Sequence, residues 1–162
     1  MRNNTQLLSA ILPALMMVFL FACGENNSIQ NSQPANAKSP DEQALTIDTF
    51  STFPPEIDGC SCYFSNDSTE FNRHVYVYMN NYGKISFLKI NGVLTKFTQS
   101  ESKEVNETTT VTKAKSEDYE MTIEVVDGIQ NGEETWLKTG TIKLTDKNGN
   151  TVTKTFYGEC GC

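Results

Sequence analysis

Two Cys-x-Cys pairs constrain the fold of this chain more than any other feature, Cys60-Ser61-Cys62 and Cys160-Gly161-Cys162. Residues i and i+2 of a strand point to the same face, so a pair that lies in a strand presents its sulfurs side by side. A bridge inside a pair fits disulfide geometry poorly, because in an extended strand its Cα atoms would be ~6.5 Å apart with parallel Cβ vectors. Of the three possible connectivities, the two that join one pair to the other remain.

The sequence between the pairs predicts strands joined by short connections, with no ten-residue segment of helical periodicity. Tyr119 to Val125 alternates apolar and polar residues without a break. The register of this strand is well specified, because a slip by one residue would bury three polar groups. The predicted strands are 60–65, 74–79, 84–90, 93–98, 108–115, 119–126, 135–145 and 151–157. We therefore expect an all-β domain, a single small antiparallel up-and-down β-barrel or sandwich of about eight strands.

One turn predicts the register of a hairpin within this domain. Asn91-Gly92 connects two predicted strands, and both positions tolerate the positive φ that a two-residue hairpin turn requires. The resulting cross-strand pairs are Ile90 with Val93, Leu88 with Thr95 and Ser86 with Phe97.

The strand count also predicts how the cysteines pair. In a closed meander with an even number of strands the first and last strands are antiparallel, which places Cys60 opposite Cys162 and Cys62 opposite Cys160. The bridge between Cys62 and Cys160 would contribute ~4.7 kcal/mol in the chain-entropy model. Two alternatives stay open: four thiolates can bind zinc or copper(I), and a pair can be redox-active. An oxidising environment outside the cytosol favours the disulfides.

Residues 1–22 have the layout of a secretory signal peptide. A positive charge at Arg2 precedes an apolar stretch, Leu7 to Phe21, and the small residue Ala22 comes before the expected cleavage point. The apolar stretch has 15 residues, fewer than the ~20 that a transmembrane helix needs. The segment therefore predicts export rather than a membrane span.

The segment Leu20-Phe21-Ala22-Cys23 resembles the lipobox of bacterial lipoproteins. The resemblance implies cleavage before Cys23 and a lipid anchor on that cysteine, a thioether-linked diacylglycerol that carries acyl chains such as palmitate. Gly24 stands where many lipoproteins retained in the inner membrane have aspartate. The resemblance therefore implies a protein of the bacterial cell envelope that is anchored in the outer membrane and faces the periplasm or the cell surface.

The mature chain divides into a tether and a domain. Residues 23–46 are rich in Asn, Gln and Ser and predict a disordered membrane tether, because they have almost nothing to bury. Residues 47–162 form the predicted β domain, with its core from about residue 56. Loss of the signal segment leaves 12 basic against 20 acidic residues, a net charge of −8, which opposes binding to nucleic acid.

The sequence contains no recognisable catalytic set. Its one histidine, His74, lies beside Arg73 in a surface position, and no phosphate-binding glycine loop or calcium loop is present. We therefore expect a protein that is not an enzyme and that uses no cofactor. Aromatic residues can line a ligand cavity or fill a small barrel: Tyr63, Phe64, Tyr76, Tyr78, Phe87, Trp136 and Phe156.

These features predict a lipid-anchored, extracytoplasmic, non-enzymatic binding or interaction module whose partner is a protein or a small ligand. An alternative is an inhibitor of a cell-wall hydrolase, since the layout resembles the membrane-bound lysozyme inhibitors, lipoproteins with a small disulfide-bearing β-barrel. The inhibitory loop of that family is similar to Ser-Gly-x-x-Tyr, and Ser116-Glu117-Asp118-Tyr119 replaces its glycine. A further alternative is zinc or copper binding by Cys60, Cys62, Cys160 and Cys162.

Overall fold

The computed structural model describes residues 44–82 and 84–162. The predicted signal segment, the lipidation site Cys23 and the predicted tether as far as residue 43 lie outside the described residues. Within the described residues the chain forms nine strands and one helix, and that part contains no helix long and apolar enough to cross a membrane. The elements are β1 (Ile47–Asp48), β2 (Ser61–Ser65), α1 (Ser68–Asn72), β3 (Tyr78–Asn80), β4 (Ile85–Ile90), β5 (Val93–Asn106), β6 (Thr109–Lys115), β7 (Tyr119–Gln130), β8 (Thr135–Asp146) and β9 (Thr151–Gly161).

The eight strands from β2 to β9 form a closed antiparallel barrel. Each strand from β2 to β8 pairs with the next one along the chain, and β9 pairs back with β2. The prediction of an all-β up-and-down meander with joined first and last strands is confirmed, and the architecture is the barrel rather than the sandwich. Strand β1 pairs with the end of β4, where Ile47 lies opposite Ile90.

The predicted registers are confirmed. At the Asn91-Gly92 turn the φ angles are 46° and 83°, the conformation that this sequence favours. The cross-strand pairs Ile90–Val93, Leu88–Thr95 and Ser86–Phe97 all form. Strand β7 buries Met121 and Ile123 and exposes Glu120 and Glu124, as its alternation predicts. The turn residues and the alternation of apolar and polar residues were therefore sufficient to predict the strand registers at these positions.

The segment before β3 departs from the predicted strand 74–79. The Asp67 carboxylate caps helix α1 and accepts hydrogen bonds from the backbone N–H groups of Thr69 at 2.8 Å and Glu70 at 2.9 Å. His74 then follows the helix in a turn with φ 57°, and β3 begins only after it. The strand prediction was wrong for residues 74–77, where the chain makes a turn at His74 and only an isolated bridge at Tyr76, and was correct for Tyr78 and Met79.

Strand β5 is longer than predicted and runs to Asn106 instead of residue 98. Its distal half is polar, yet it continues to pair with β6 through two register shifts. Cross-strand contacts accompany this pairing: Lys113 Nζ lies 2.8 Å from the Glu101 carboxylate, and the Ser102 and Thr112 hydroxyls are 3.0 Å apart. Backbone pairing and polar side-chain pairs thus extend a strand that shows no apolar alternation.

The barrel interior is filled by apolar side chains around Phe64. Its ring stacks on Phe156 with centroids 4.2 Å apart and on Tyr78 at 5.3 Å. The packing requires a glycine at 158, because a Cβ there would lie 2.7 Å from Cδ1 of Phe64 and would also overlap the Tyr63 carbonyl oxygen. Other fully buried residues are Val77, Leu88, Ile90, Phe97, Met121, Ile123, Ile142 and Leu144. A ligand would therefore have to bind elsewhere than at the centre of this barrel.

Candidate functional site

The four cysteines of the domain form two nested disulfides, Cys60–Cys162 and Cys62–Cys160. The inner bridge joins β2 to β9 at the closure of the barrel, where Cys62 lies directly opposite Cys160 in the sheet. The outer bridge joins the residue before β2 to the residue after β9. The predicted pairing is confirmed. The inner bridge is buried and the outer one is exposed. All four sulfurs are in S–S bonds, so these residues offer no thiolate to a metal, and the described residues contain no other metal-binding cluster of His, Cys, Asp or Glu.

A cavity of about 370 Å³ lies on the outer wall of the barrel. We call it the outer aromatic pocket, and it is lined by Phe53, Tyr63, Phe71, His74, Tyr76 and Glu159. Tyr63 and Glu159 lie opposite each other on β2 and β9. Since their neighbour Phe64 is buried in the barrel, the alternation of side chains along a strand directs both of them outward.

The remaining rings of the pocket come from segments outside the barrel strands. Phe71 lies on α1, the helix that contacts β2 and β9. Tyr76 is held by an isolated bridge to Phe50, in which each backbone N–H donates to the carbonyl of the other at 2.8 Å. Phe53 precedes two prolines in the segment between β1 and β2. Two connections, from β1 to β2 and from β2 to β3, thus bring three aromatic side chains onto one patch of the barrel wall.

The rings of the pocket contact one another at large angles. Phe53, Tyr63 and Tyr76 form three edge-to-face pairs, with centroids 5.7 to 5.8 Å apart and interplanar angles of 63° to 81°. Phe71 is nearly parallel to Tyr63 at 6.4 Å. Edge-to-face pairs contribute about 0.5–1.5 kcal/mol each beyond their burial, so the cluster is held in place by its own contacts. Phe53 nevertheless remains 45% exposed.

Polar groups occupy the rim of the pocket. Asn131 donates a hydrogen bond to the Glu159 carboxylate at 2.9 Å, and no described lysine or arginine forms an ion pair with Glu159. The His74 Nδ1 atom lies 3.0 Å from the Tyr76 hydroxyl. Burial, followed by the charges of Tyr63 and Glu159, raises the pKa of the Tyr76 phenol above its ordinary value of 10.0. The site therefore combines several aromatic rings with one negative charge.

The turn from Ser116 to Tyr119, which carries the similarity to the inhibitory loop, connects β6 and β7 at one end of the barrel. Cavities of about 320 and 470 Å³ lie against it. The Ser116 hydroxyl accepts a hydrogen bond from the Tyr119 N–H at 3.1 Å, and Lys147 forms an ion pair with Asp118. The serine and the tyrosine thus stabilise their own turn, and Glu117 is exposed at its tip.

The aromatic residues that the sequence singled out separate into two groups. Phe64, Tyr78 and Phe156 belong to the barrel core, whereas Tyr76 and Phe87 belong to a second cluster on the outer side, against which Tyr63 packs. Trp136 is 38% exposed. Part of the set therefore fills the barrel, and Tyr63 and Tyr76 line the cavity outside it.

Three residues of the pocket were not predicted from the sequence: Phe53, Phe71 and Glu159. The missed signal for Phe71 is the spacing Asp67-x-x-Glu70, which is typical of a helix start. It would have placed Phe71 on a helix next to the first long strand.

Comparisons with known proteins add no family assignment. The sequence matches no protein-family model, and neither the curated proteins nor the solved structures gave a significant match. The function of this chain is therefore inferred from its own sequence and geometry.

Proposed function

We propose that this protein is a non-enzymatic binding module of the bacterial cell envelope, lipid-anchored through Cys23 in the outer membrane and exposed to the periplasm or the cell surface. The leader sequence and the lipobox resemblance support the anchor. The two disulfides support an oxidising compartment. In this proposal the outer aromatic pocket is the ligand site.

The observation that carries the proposal is the contrast between a filled interior and an open outer wall. Barrels of eight strands have room for side chains or for one small ligand, and here Phe64, Phe97 and Met121 are among the side chains that fill it. The pocket outside has a volume of about 370 Å³, within the ~300–1,000 Å³ of small-molecule sites. Small-molecule sites typically combine apolar walls with a few polar groups, which is the composition of this pocket.

The binding role can be tested with the purified full chain in a polyoxyethylene detergent, which carries neither sugar nor ammonium groups. A thermal-shift screen would cover sugars, organic cations, organic anions and short peptides. A ligand present at 100 times its Kd should raise the free energy of unfolding by about 2.7 kcal/mol. The gain should vanish in Tyr63→Leu and persist in Thr141→Ala, a control on the outer face of β8. A ligand that stabilises Tyr63→Leu as much as the natural protein would contradict the assignment of this pocket as the binding site.

The anchor is tested separately by the intact mass of the natural protein. We expect a chain that begins at Cys23 and carries the added mass of diacylglycerol and acyl groups. A chain that begins at Met1 without added mass would contradict the lipoprotein assignment.

A second candidate function is inhibition of a cell-wall hydrolase through the turn Ser116–Tyr119. The observation that favours it is the exposed Glu117 between two surface cavities, because a cationic hydrolase would be attracted to an acidic tip. We expect inhibition of lysozyme by excess protein and its loss in Glu117→Lys. Full lysozyme activity at a tenfold molar excess of the chain would remove this candidate.

A further inference from the structure

We propose that the outer aromatic pocket recognises an organic cation, a methylated ammonium group such as a quaternary ammonium headgroup. This inference rests on the proposed function, because it specifies the ligand class of the same site. It starts from two observations that point to one ligand chemistry, the aromatic rings and the carboxylate of Glu159 in the same lining.

The rings provide the first attraction. The face of an aromatic ring carries negative potential, and a cation within ~6 Å of the ring centroid is attracted to it, more strongly when water is excluded. Phe53, Tyr63 and Tyr76 lie with centroids 5.7 to 5.8 Å apart and with planes at 63° to 81°. All three rings also line the cavity, so we expect a compact cation in it to contact more than one ring.

The carboxylate provides the second attraction and distinguishes between ligand classes. Glu159 has an amide partner, Asn131, and no described lysine or arginine neutralises it. An anion would be repelled by this charge, and a neutral sugar would gain hydrogen bonds from its hydroxyls to the carboxylate but no charge attraction. A cation with methyl groups uses both features, since its charge faces Glu159 while its methyl groups contact the rings.

The charge of the whole domain acts in the same direction. Residues 44–162 contain 17 acidic and 11 basic side chains, a formal net charge of −6. A negative domain raises the local concentration of cationic ligands and speeds their association. Long-range and local charge therefore favour the same class of ligand.

The first experiment compares two probes of the same shape, choline and 3,3-dimethyl-1-butanol, in which a carbon replaces the charged nitrogen. Each is titrated into the full chain in the polyoxyethylene detergent and followed by calorimetry and saturation-transfer NMR. We expect choline to bind at least tenfold more tightly than the neutral probe, and raised salt to weaken choline alone. Equal affinity of the two probes would overturn the inference.

The second experiment uses matched variants. Glu159→Gln keeps the size of the side chain and should weaken choline at least fivefold without changing the weak affinity for the neutral probe. Glu124→Gln, an exposed carboxylate on β7, is the control and should change neither. Tyr76→Phe keeps the ring and should retain choline binding, whereas Tyr76→Leu should lose it. Circular dichroism confirms that each variant is folded, and a choline affinity unaffected by Glu159→Gln in folded protein would contradict the proposal.

The outcomes separate this inference from the proposed function. If choline fails but a sugar or another neutral compound stabilises the chain through Tyr63, the organic-cation inference is wrong and the binding role stands. If no compound of any class depends on the pocket residues, both are wrong.

Discussion

The inner and outer faces of strands β2 and β9 differ, although they share the same backbone. Inward side chains are buried and pack tightly: Cys62, Phe64, Phe156 and Cys160. Tyr63 and Glu159, which face outward between them, are only partly buried and line an open cavity. A strand alternates its side chains between two environments, so one stretch of sequence serves stability on one face and ligand contact on the other.

The difference implies that the two faces should respond differently to substitution. Changes inside should lower the free energy of unfolding by several kcal/mol, because protein interiors are close-packed and relax only in part. Changes outside should alter binding at a smaller cost in stability. Substitutions at neighbouring positions of the same strand test this separation directly.

The largest expected effect concerns the disulfides. Replacing all four cysteines by alanine should lower the free energy of unfolding by about 4.7 kcal/mol or more, because a bridge spanning 98 residues no longer restricts the unfolded chain. Removing only the exposed bridge, Cys60–Cys162, should cost less than about 1 kcal/mol, since the buried bridge still closes the same loop. Urea denaturation without reductant measures both, and an exposed bridge that matters more than the buried one would reverse the comparison.

Adjacent substitutions on β2 give the next largest effect. Phe64→Ala should cost about 3–5 kcal/mol, the range for a buried aromatic residue, because Phe64 is 0% exposed. Tyr63→Ala removes a half-buried ring and should cost about half as much. Urea denaturation measures both losses, and the comparison holds when the free energy of unfolding depends equally steeply on urea concentration in both variants. Equal losses at the two positions would show that the outer rings are as important to the fold as the core.

The sequence predicted those parts of the fold that local rules determine. Strict alternation from Tyr119 onward, the Asn91-Gly92 turn and the even strand count led to the antiparallel meander, its registers and the disulfide pairing expected if it closes, and left barrel and sandwich open. Helix α1 was missed because a five-residue helix is too short to show apolar periodicity and depends on the cap by Asp67. The distal half of β5 was missed because polar residues paired across strands carry no period-two apolar signal.

The candidate site was much harder to predict than the fold. The cysteine pairing followed from two sequence motifs, but the outer aromatic pocket joins Phe53, Tyr63, Phe71, Tyr76 and Glu159 from four separate segments. Their proximity depends on the path of the connections outside the barrel. Alternation shows which face a strand residue occupies, and it does not show which loop or helix covers that face.

The third prediction concerns alkaline pH and the inner residue Tyr78. Burial raises the pKa of its phenol above the ordinary value of 10.0, and hydrogen bonds with Asn80 and Ser86 oppose this only in part. The neutral phenol is favoured in the folded state, so its contribution is complete below pH 10 and is lost as the pH rises through the folded pKa. Between the unfolded pKa of about 10 and the higher folded pKa, each pH unit should cost at most about 1.4 kcal/mol per such group.

Tyr78→Phe isolates this contribution from those of Tyr76 and Tyr82, whose pKa values are also raised. In urea denaturation between pH 8 and 11, the free energy of unfolding should fall less steeply with pH in the variant. The difference in slope should correspond to about one proton. Parallel pH profiles for the variant and the natural protein would show that Tyr78 ionises as easily in the folded state as in the unfolded chain.

The smallest expected effect concerns a residue on the outer face of β2 that is as buried as the residues of the core. Ser65 points outward from β2, yet it is 0% exposed, and its hydroxyl has no hydrogen-bond partner in the described part of the chain. An unsatisfied buried hydroxyl is costly, so Ser65→Ala should raise the free energy of unfolding by about 1 kcal/mol. Ser61→Ala is the matched control on the same strand, because the Ser61 hydroxyl donates to the Gly59 carbonyl at 3.2 Å and its loss should destabilise slightly. Where α1 covers β2 and β9 the outer face should thus behave like the core, and a destabilising Ser65→Ala would contradict this.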